Sequence, residues 1–190
     1  VRTILRSVLT GVLAVACGLS APAAASSIDG PSFKQLREAL LTAEELPGGM
    51  RLVGDDQARG GDSDFAAWDR CDNESSKAAD NVRMISVGYR KGDRHVGMFL
   101  GAPGAEEALA IVAAKLDGAR RCPSTDPEDL PVTQWVHPRL GDASLVFGHT
   151  AIIAQGDVLL YFSTRGIDDA GFAALAEASA RKLAKHFPSS

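Results

Sequence analysis

Between Val82 and Gly101 the chain alternates with the period of a half-buried strand. Ile85, Val87 and Tyr89 share one side, the Lys91-Gly92-Asp93 triplet supplies a turn, and Val96, Met98 and Leu100 alternate on the way back. The pattern predicts a β-hairpin. Beyond it, Glu106-Glu107 stand in a first helical turn and Leu109, Val112 and Leu116 recur on one face. Arg120-Arg121 close the far end before Pro123, the charge order that a helix dipole favours. Val132 to Val136, Ser144 to Phe147, Thr150 to Ala154 and Val158 to Thr164 read as further strands, the last two joined by Gln155-Gly156-Asp157. Asp168-Asp169 then open a terminal helix whose apolar stripe runs Phe172, Leu175, Ser179, Leu183 and Phe187.

The segment before the hairpin is less regular. Ser32 and Gln35 have the spacing of a capping box ahead of Phe33, Leu36 and Leu40, predicting a short helix over 33–41. Thr42 and Glu45 repeat the box before a turn that Leu46-Pro47-Gly48-Gly49 stops. Met50 to Val53 reads as a strand, and Asp55 to Asp64 as an exposed acidic, glycine-rich loop. The order helix, strands, helix, strands, helix with tight hairpin turns predicts an α+β fold. Its sheet is mostly antiparallel, with amphipathic helices packed on one face. Residues 32–188 are expected to form this single domain.

The N-terminus carries a different pattern. Arg2 and Arg6 precede an uncharged apolar run, Val8 to Leu19, too short to span a bilayer, and Ala23-Ala24-Ala25 offers the small side chains that signal peptidase accepts. Residues 1–25 are therefore read as a signal peptide and 26–31 as a flexible leader, in a secreted protein. The competing reading is lipoprotein processing at Cys17, behind Leu13-Ala14-Val15-Ala16, which would leave a membrane-anchored lipoprotein tethered through Cys17.

Cleavage after Ala25 leaves 165 residues and takes the formal net charge from −4 to −6. A mildly acidic surface argues against nucleic acid as a partner, since phosphate binding needs clustered Lys and Arg. The densest basic stretches, Arg90-Lys91 with Arg94 and Arg120-Arg121, read as solvated turn and helix-end charges. With Cys17 removed, Cys71 and Cys122 remain in an oxidising compartment, and a Cys71–Cys122 disulfide is the expected state. Closing a loop of that length stabilises a fold by roughly 4 kcal/mol on the chain-entropy account.

No motif for chemistry stands out. Gly-x-Ser-x-Gly, a Walker loop, paired zincin histidines and a dinucleotide fingerprint are all missing from the sequence, and His95, His137, His149 and His186 are scattered without ligand spacing. Asp55-Asp56 with Asp62 and Asp64 lack the spacing and closing glutamate of a calcium loop. The pairs Glu44-Glu45, Glu106-Glu107 and Asp168-Asp169 all fall at helix starts, where the dipole accounts for them. No catalytic residue, metal or cofactor is assigned on this reading. Trp68 is expected to pack against the disulfide, and Trp135 and Tyr161 to lie on strands as core or cleft lining.

The order of short segments is nevertheless distinctive: "LLTAEELPGGM" at 40–50, a cysteine after an acidic stretch, a hairpin, then "APGAEEALAIVAAKLDGARRC". Leu140-Gly141-Asp142 and "LLYFSTRG" follow. This succession resembles actinobacterial secreted and lipoprotein sensor-domain-like proteins, similar to the extracellular sensor domain of mycobacterial receptor-type serine/threonine kinases. The resemblance implies an α+β sheet with a cleft, disulfide-stabilised, that binds an extracytoplasmic ligand. The chain departs from that pattern in having one cysteine pair where two are usual, and Met50 where an aromatic often follows the turn. It carries no kinase sequence, so sensing would pass through a separate partner.

The functional expectation is a non-catalytic binding or sensor-like domain for an extracytoplasmic small molecule, envelope component or protein partner. Phe99, Trp135, Phe147 and Tyr161 are the candidate lining. Two alternatives stay open: a secreted hydrolase using His149 or His95 with Asp142, and an envelope interaction protein without a pocket. Mass spectrometry of the exported protein checks the export reading: a chain beginning at Ser26, with both Cys71 and Cys122 inert to alkylation until reduced, is expected. A diacylated Cys17 would replace it.

Overall fold

Strand pairing is set by alternation, and the strands of this chain alternate most strictly on one side. In β2 (Val82–Lys91) and β3 (Arg94–Gly101), Ile85, Val87 and Tyr89 and their partners Val96, Met98 and Leu100 are all buried, while the residues between them grade outward. The computed structural model describes residues 30–60, 82–121, 133–134 and 140–189. Within these, α1 (Phe33–Glu38) and a 3₁₀ turn (Ala43–Glu45) precede β1 (Arg51–Gly60), β2 and β3. Then come α2 (Ala105–Arg121), β4 (Thr133–Gln134), β5 (Ala143–Phe147), β6 (Thr150–Gln155), β7 (Val158–Arg165) and α3 (Asp169–His186). All neighbouring strands pair antiparallel in one sheet of order β1-β2-β3-β7-β6-β5-β4.

The sheet has two unequal faces. On the first, α1 and α3 close over Val87, Met98, Ile153, Leu160 and Phe162, with Leu36, Phe172, Leu175, Ala176 and Leu183 as the helical partners. Truncating a fully buried aromatic such as Phe162 removes on the order of 3–5 kcal/mol in cores of this kind. On the second face α2 lays Ala108, Ile111 and Val112 against Val82, Met84, Leu145, Ile152, Ala154 and Leu159.

The expectation that helices cover one face is thus corrected: they cover both, because α2 must cross the sheet to carry the chain from central β3 to edge strand β4. The buried stripe of α2 is also rotated from the expected one. Ala108, Ile111 and Val112 are buried, and Leu109 is 43% exposed. A further correction concerns Asp55-Asp56, expected in a loop: β1 continues through them to Gly60, with a register shift between Leu52 and Gly54. Residues 51–57 are exposed throughout, so this edge strand is held by its pairing with β2 rather than by apolar alternation. Cys71, Cys122, Trp68, Trp135 and His137 lie outside the described residues.

Polar ties fasten the N-terminal segment to the core. Both predicted capping boxes form, Ser32 with Gln35 and Thr42 with Glu45. The Tyr89 hydroxyl donates to the Leu41 carbonyl at 3.0 Å. Lys182 Nζ, from α3, donates to the Leu40 carbonyl at 2.8 Å and to the Glu45 carboxylate at 2.6 Å. Entry to β5 depends on Gly141 (φ +67), where a Cβ would stand 2.4 Å from the Ala154 carbonyl oxygen, a clash no relaxation of side chains removes.

Partial burial pushes the Glu45 carboxyl up, but hydrogen bonds from Lys182 and the Thr42 amide, with the Lys182 charge, outweigh it and hold the group below its ordinary value. A carboxyl depressed on folding adds stability above its unfolded pKa, and that increment fades as pH falls through the folded value. Urea titrations across acid pH should therefore show Lys182→Met with a shallower acid loss than the parent below about pH 4.5. Parallel curves would mean that the pair contributes nothing to folding.

Candidate functional site

Antiparallel register places directly opposed residues on one face, so the second face can be read as rows across the strands. The row under α2 runs Met84, Gly101, Leu159, Ala154 and Ala143. The next runs Ser86, Phe99, Tyr161, Ile152 and Leu145. Burial falls along each strand in the same direction. On β2, Met84 is buried, Ser86 and Gly88 half-buried and Arg90 exposed; on β7, Leu159 is buried, Tyr161 and Ser163 half-buried and Arg165 exposed. Helix α2 packs against β5, β6 and β7, so its cover ends along the line of Phe99 and Tyr161.

Three of the four aromatics expected to line a site therefore lie on this face. Phe99 and Tyr161 are register partners, edge to face at 75° with ring centroids 6.2 Å apart. Phe147 packs against the margin of the same cluster from β5, in the next row, opposite Thr150. Lys115 Nζ lies 5.8 Å from the Tyr161 ring centroid, in the range of a cation–π contact. Trp135, the fourth, lies outside the described residues. Burial raises the Tyr161 phenol well above its ordinary value, and Tyr89 on the opposite face is raised too, by burial foremost and by Glu44 and Glu45 against the opposing charge of Arg37.

The residues proposed for hydrolysis do not assemble as the sequence reading had them. Asp142 and His149 flank opposite ends of β5, and the Asp142 carboxylate is engaged by the Gly156 amide at 2.8 Å and by the Ser189 hydroxyl. His149 has partners the spacing did not reveal. Its Nε2 is 2.7 Å from Asp169, its Nδ1 is 3.4 Å from the Thr164 hydroxyl, and its ring stacks on Phe172 at 5.2 Å. The Asp169 side chain is 99% exposed. The Thr164 amide already donates to the His149 carbonyl at 2.9 Å. The cluster therefore joins the β5–β6 turn to the first turn of α3, in a wet setting where electrostatic catalysis is weak. His95 lies away from this cluster, on the second face, with its ring near Gly88 and Gly97.

What sequence reading missed is the row nearest the open end. Arg51, Arg90, His95 and Arg165 are consecutive register partners across β1, β2, β3 and β7, on the same side as Phe99 and Tyr161. The signal was available only as parity: positions 95, 97 and 99 of one strand and 161, 163 and 165 of another alternate in phase.

Among the described residues no helix is long and apolar enough to cross a membrane. No protein-family model matches the chain, and no curated protein sequence does so. Among solved structures, the extracellular domain of PknH from Mycobacterium tuberculosis shares the fold. The match covers 82% of this chain and 98% of that one, with a TM-score of 0.52 at 12% identity. The resemblance to mycobacterial kinase extracellular sensor domains expected from the sequence is thus present in the fold. Identity at that level carries the architecture and no site.

Tyr89 and Tyr161 are the chain's two tyrosines. An alkaline absorbance titration of the folded protein should accordingly show less than half of the phenols ionised at pH 10, the ordinary midpoint. Tyr161→Phe should remove the later of the two steps. Ionisation of both groups at the ordinary midpoint would show that this face is wetter than described.

Proposed function

We propose that the chain is an extracytoplasmic, non-catalytic binding or sensor-like domain that holds a small amphiphilic molecule on the half-covered face of its sheet. The observation that carries this is the contact of Phe99 with Tyr161 where the cover of α2 ends, with Phe147 on the same face at the margin of the same cluster. Half-buried aromatic rings at the margin of a core offer apolar area without the cost of opening it, and binding surfaces are mostly apolar with few polar groups. Trp135 belongs to the same proposed lining. The likeness to an extracellular domain supports an extracytoplasmic setting, and the export signal read in residues 1–25 agrees with it. A Cys71–Cys122 bridge belongs to the same proposal.

The competing hydrolase reading now rests on Thr164, His149 and Asp169 rather than on Asp142. Turnover of a fluorogenic ester that His149→Ala abolishes would establish it in place of binding.

The binding reading is tested with the neutral fluorophore N-phenylnaphthylamine, which brightens on entering an apolar site. Saturable enhancement by the folded protein is expected, with Tyr161→Ala weakening affinity by roughly tenfold, the cost of losing one buried aromatic contact. Exposed Leu109→Ala should change nothing. Equal affinities for parent and Tyr161→Ala would sink the aromatic face as the site.

A further inference from the structure

Beyond the aromatic row the same face changes chemistry twice. One step along, the row reads Gly54, Gly88, Gly97, Ser163 and Thr150, so across five strands no side chain exceeds a hydroxyl-bearing one, and Phe147 closes the row on β5. One step further it reads Arg51, Arg90, His95 and Arg165. The His95 ring leans back over the glycines. A Cβ at Gly88 would stand 3.5 Å from its Nε2, and a Cβ at Gly97 3.4 Å from its Cε1 and 3.0 Å from the Ser163 hydroxyl oxygen. The middle row is thus a trough whose floor is backbone, with aromatic rings along one bank and cations along the other.

Those cations are placed at a cost. Arg51 and Arg90 are directly opposed, and like charges in cross-strand pairs repel. Elsewhere four described cations have carboxylate partners: Lys34 with Glu38, Arg37 with Asp55, Arg181 with Glu177, Lys182 with Glu45. Among the described residues none pairs with Arg51, Arg90 or Arg165. The carboxylates nearest in register are Asp56 at the β1 end of the aromatic row, which accepts from the Gln57 amide, and Asp93 in the hairpin turn. Lys91 and Arg94 on the opposite side of the hairpin add positive charge. Three arginines therefore stand in excess on a chain of net charge −4.

Resting on the binding reading above, we propose that this trough takes an anionic phospholipid, its phosphate held by Arg90, Arg165 and His95 and its acyl part lying on Phe99, Tyr161 and Phe147. Guanidinium forks match phosphate oxygens two at a time, which a lone lysine does not. From Tyr161 to Arg165 is four strand residues, about 13 Å at ~3.3 Å each. A free phosphate fills one row and leaves the aromatics idle. An amphiphile with an ester linker spans all three, its linker meeting the hydroxyls of Ser163 and Thr150.

The test titrates the full chain with dihexanoylphosphatidylglycerol, dihexanoylphosphatidylcholine and inorganic phosphate, below micelle formation, reading the amide NMR signals of Gly88 and Gly97. The glycerol lipid should bind at least about tenfold tighter than the choline lipid and move both glycine signals. Its affinity should fall with added salt. Arg90→Gln combined with Arg165→Gln should reduce it to the choline level. The lipid ratio and salt dependence are measured on the unaltered chain, so they stand even if the double variant misfolds. Equal binding of the two lipids overturns the anion site and leaves the aromatic site standing, and binding of neither overturns both. Inorganic phosphate binding as tightly as the glycerol lipid overturns the amphiphile.

Discussion

The pairing of β3 with β7, from His95 against Arg165 to Gly101 against Leu159, is the contact on which the rest of the molecule depends. It joins two meanders that are otherwise separate, β1-β2-β3 and β4-β5-β6-β7, across about sixty residues of chain, a long-range closure whose entropy cost grows only slowly with loop length. Its specificity comes from the first face, where Met98 opposes Phe162, Val96 opposes Thr164 and Leu100 opposes Leu160. A slip by one residue would turn those buried side chains to the other side. The same register sets the second face without further instruction: Phe99 must oppose Tyr161, Gly97 must oppose Ser163, and His95 must oppose Arg165.

The inequality of the two faces follows from the same topology. The chain leaves β3 in the middle of the sheet and must land on β4 at its edge, four strands away, about 19 Å at ~4.8 Å per strand. A helix of 17 residues is about 25 Å long at ~1.5 Å each. Nearly all of α2 is therefore used in crossing β7, β6 and β5. Beyond Val82, Met84 and Gly101, the β1–β3 half of the face receives no helix among the described residues. The gradient of burial from Met84 to Arg90 and from Leu159 to Arg165 is the geometric remainder of that crossing.

This also explains which features were legible in the sequence. The β2–β3 hairpin, α2, the β5–β7 meander and the stripe of α3 announce themselves because each buries one side at its own period. Edge strand β1 does not, since Arg51 to Gln57 are exposed and are held by the ladder to β2 and the Arg37–Asp55 ion pair rather than by an apolar side. Periodicity tells which side of α2 is apolar, but not which face of the sheet it meets, and so helices on both faces went unforeseen. Phe99, Phe147 and Tyr161 could be named as strand aromatics, but their sharing one face could not, because it needs the long-range register. Arg90, Lys91 and Arg94 read as turn charges for the same reason: in sequence they have no visible relation to Arg51 or Arg165.

The glycines give the most direct argument that the open half is more than a leftover. Gly54, Gly88 and Gly97 lie side by side on three adjacent strands, where glycine forfeits cross-strand side-chain contacts and loses the most backbone entropy on ordering. None of the three has a positive φ, so no turn or left-handed conformation demands them. A Cβ at Gly54 would meet open space, and one at Gly88 would meet only ordinary contacts, so packing does not require their absence either. Only Gly97 is tight, against the Ser163 hydroxyl and the His95 ring. Glycine at the open position on β1, beside two over which the His95 ring lies, keeps side chains off this strip of backbone. The strongly buried first face, through Val87, Tyr89, Val96 and Met98, supplies the stability that lets the second remain shallow.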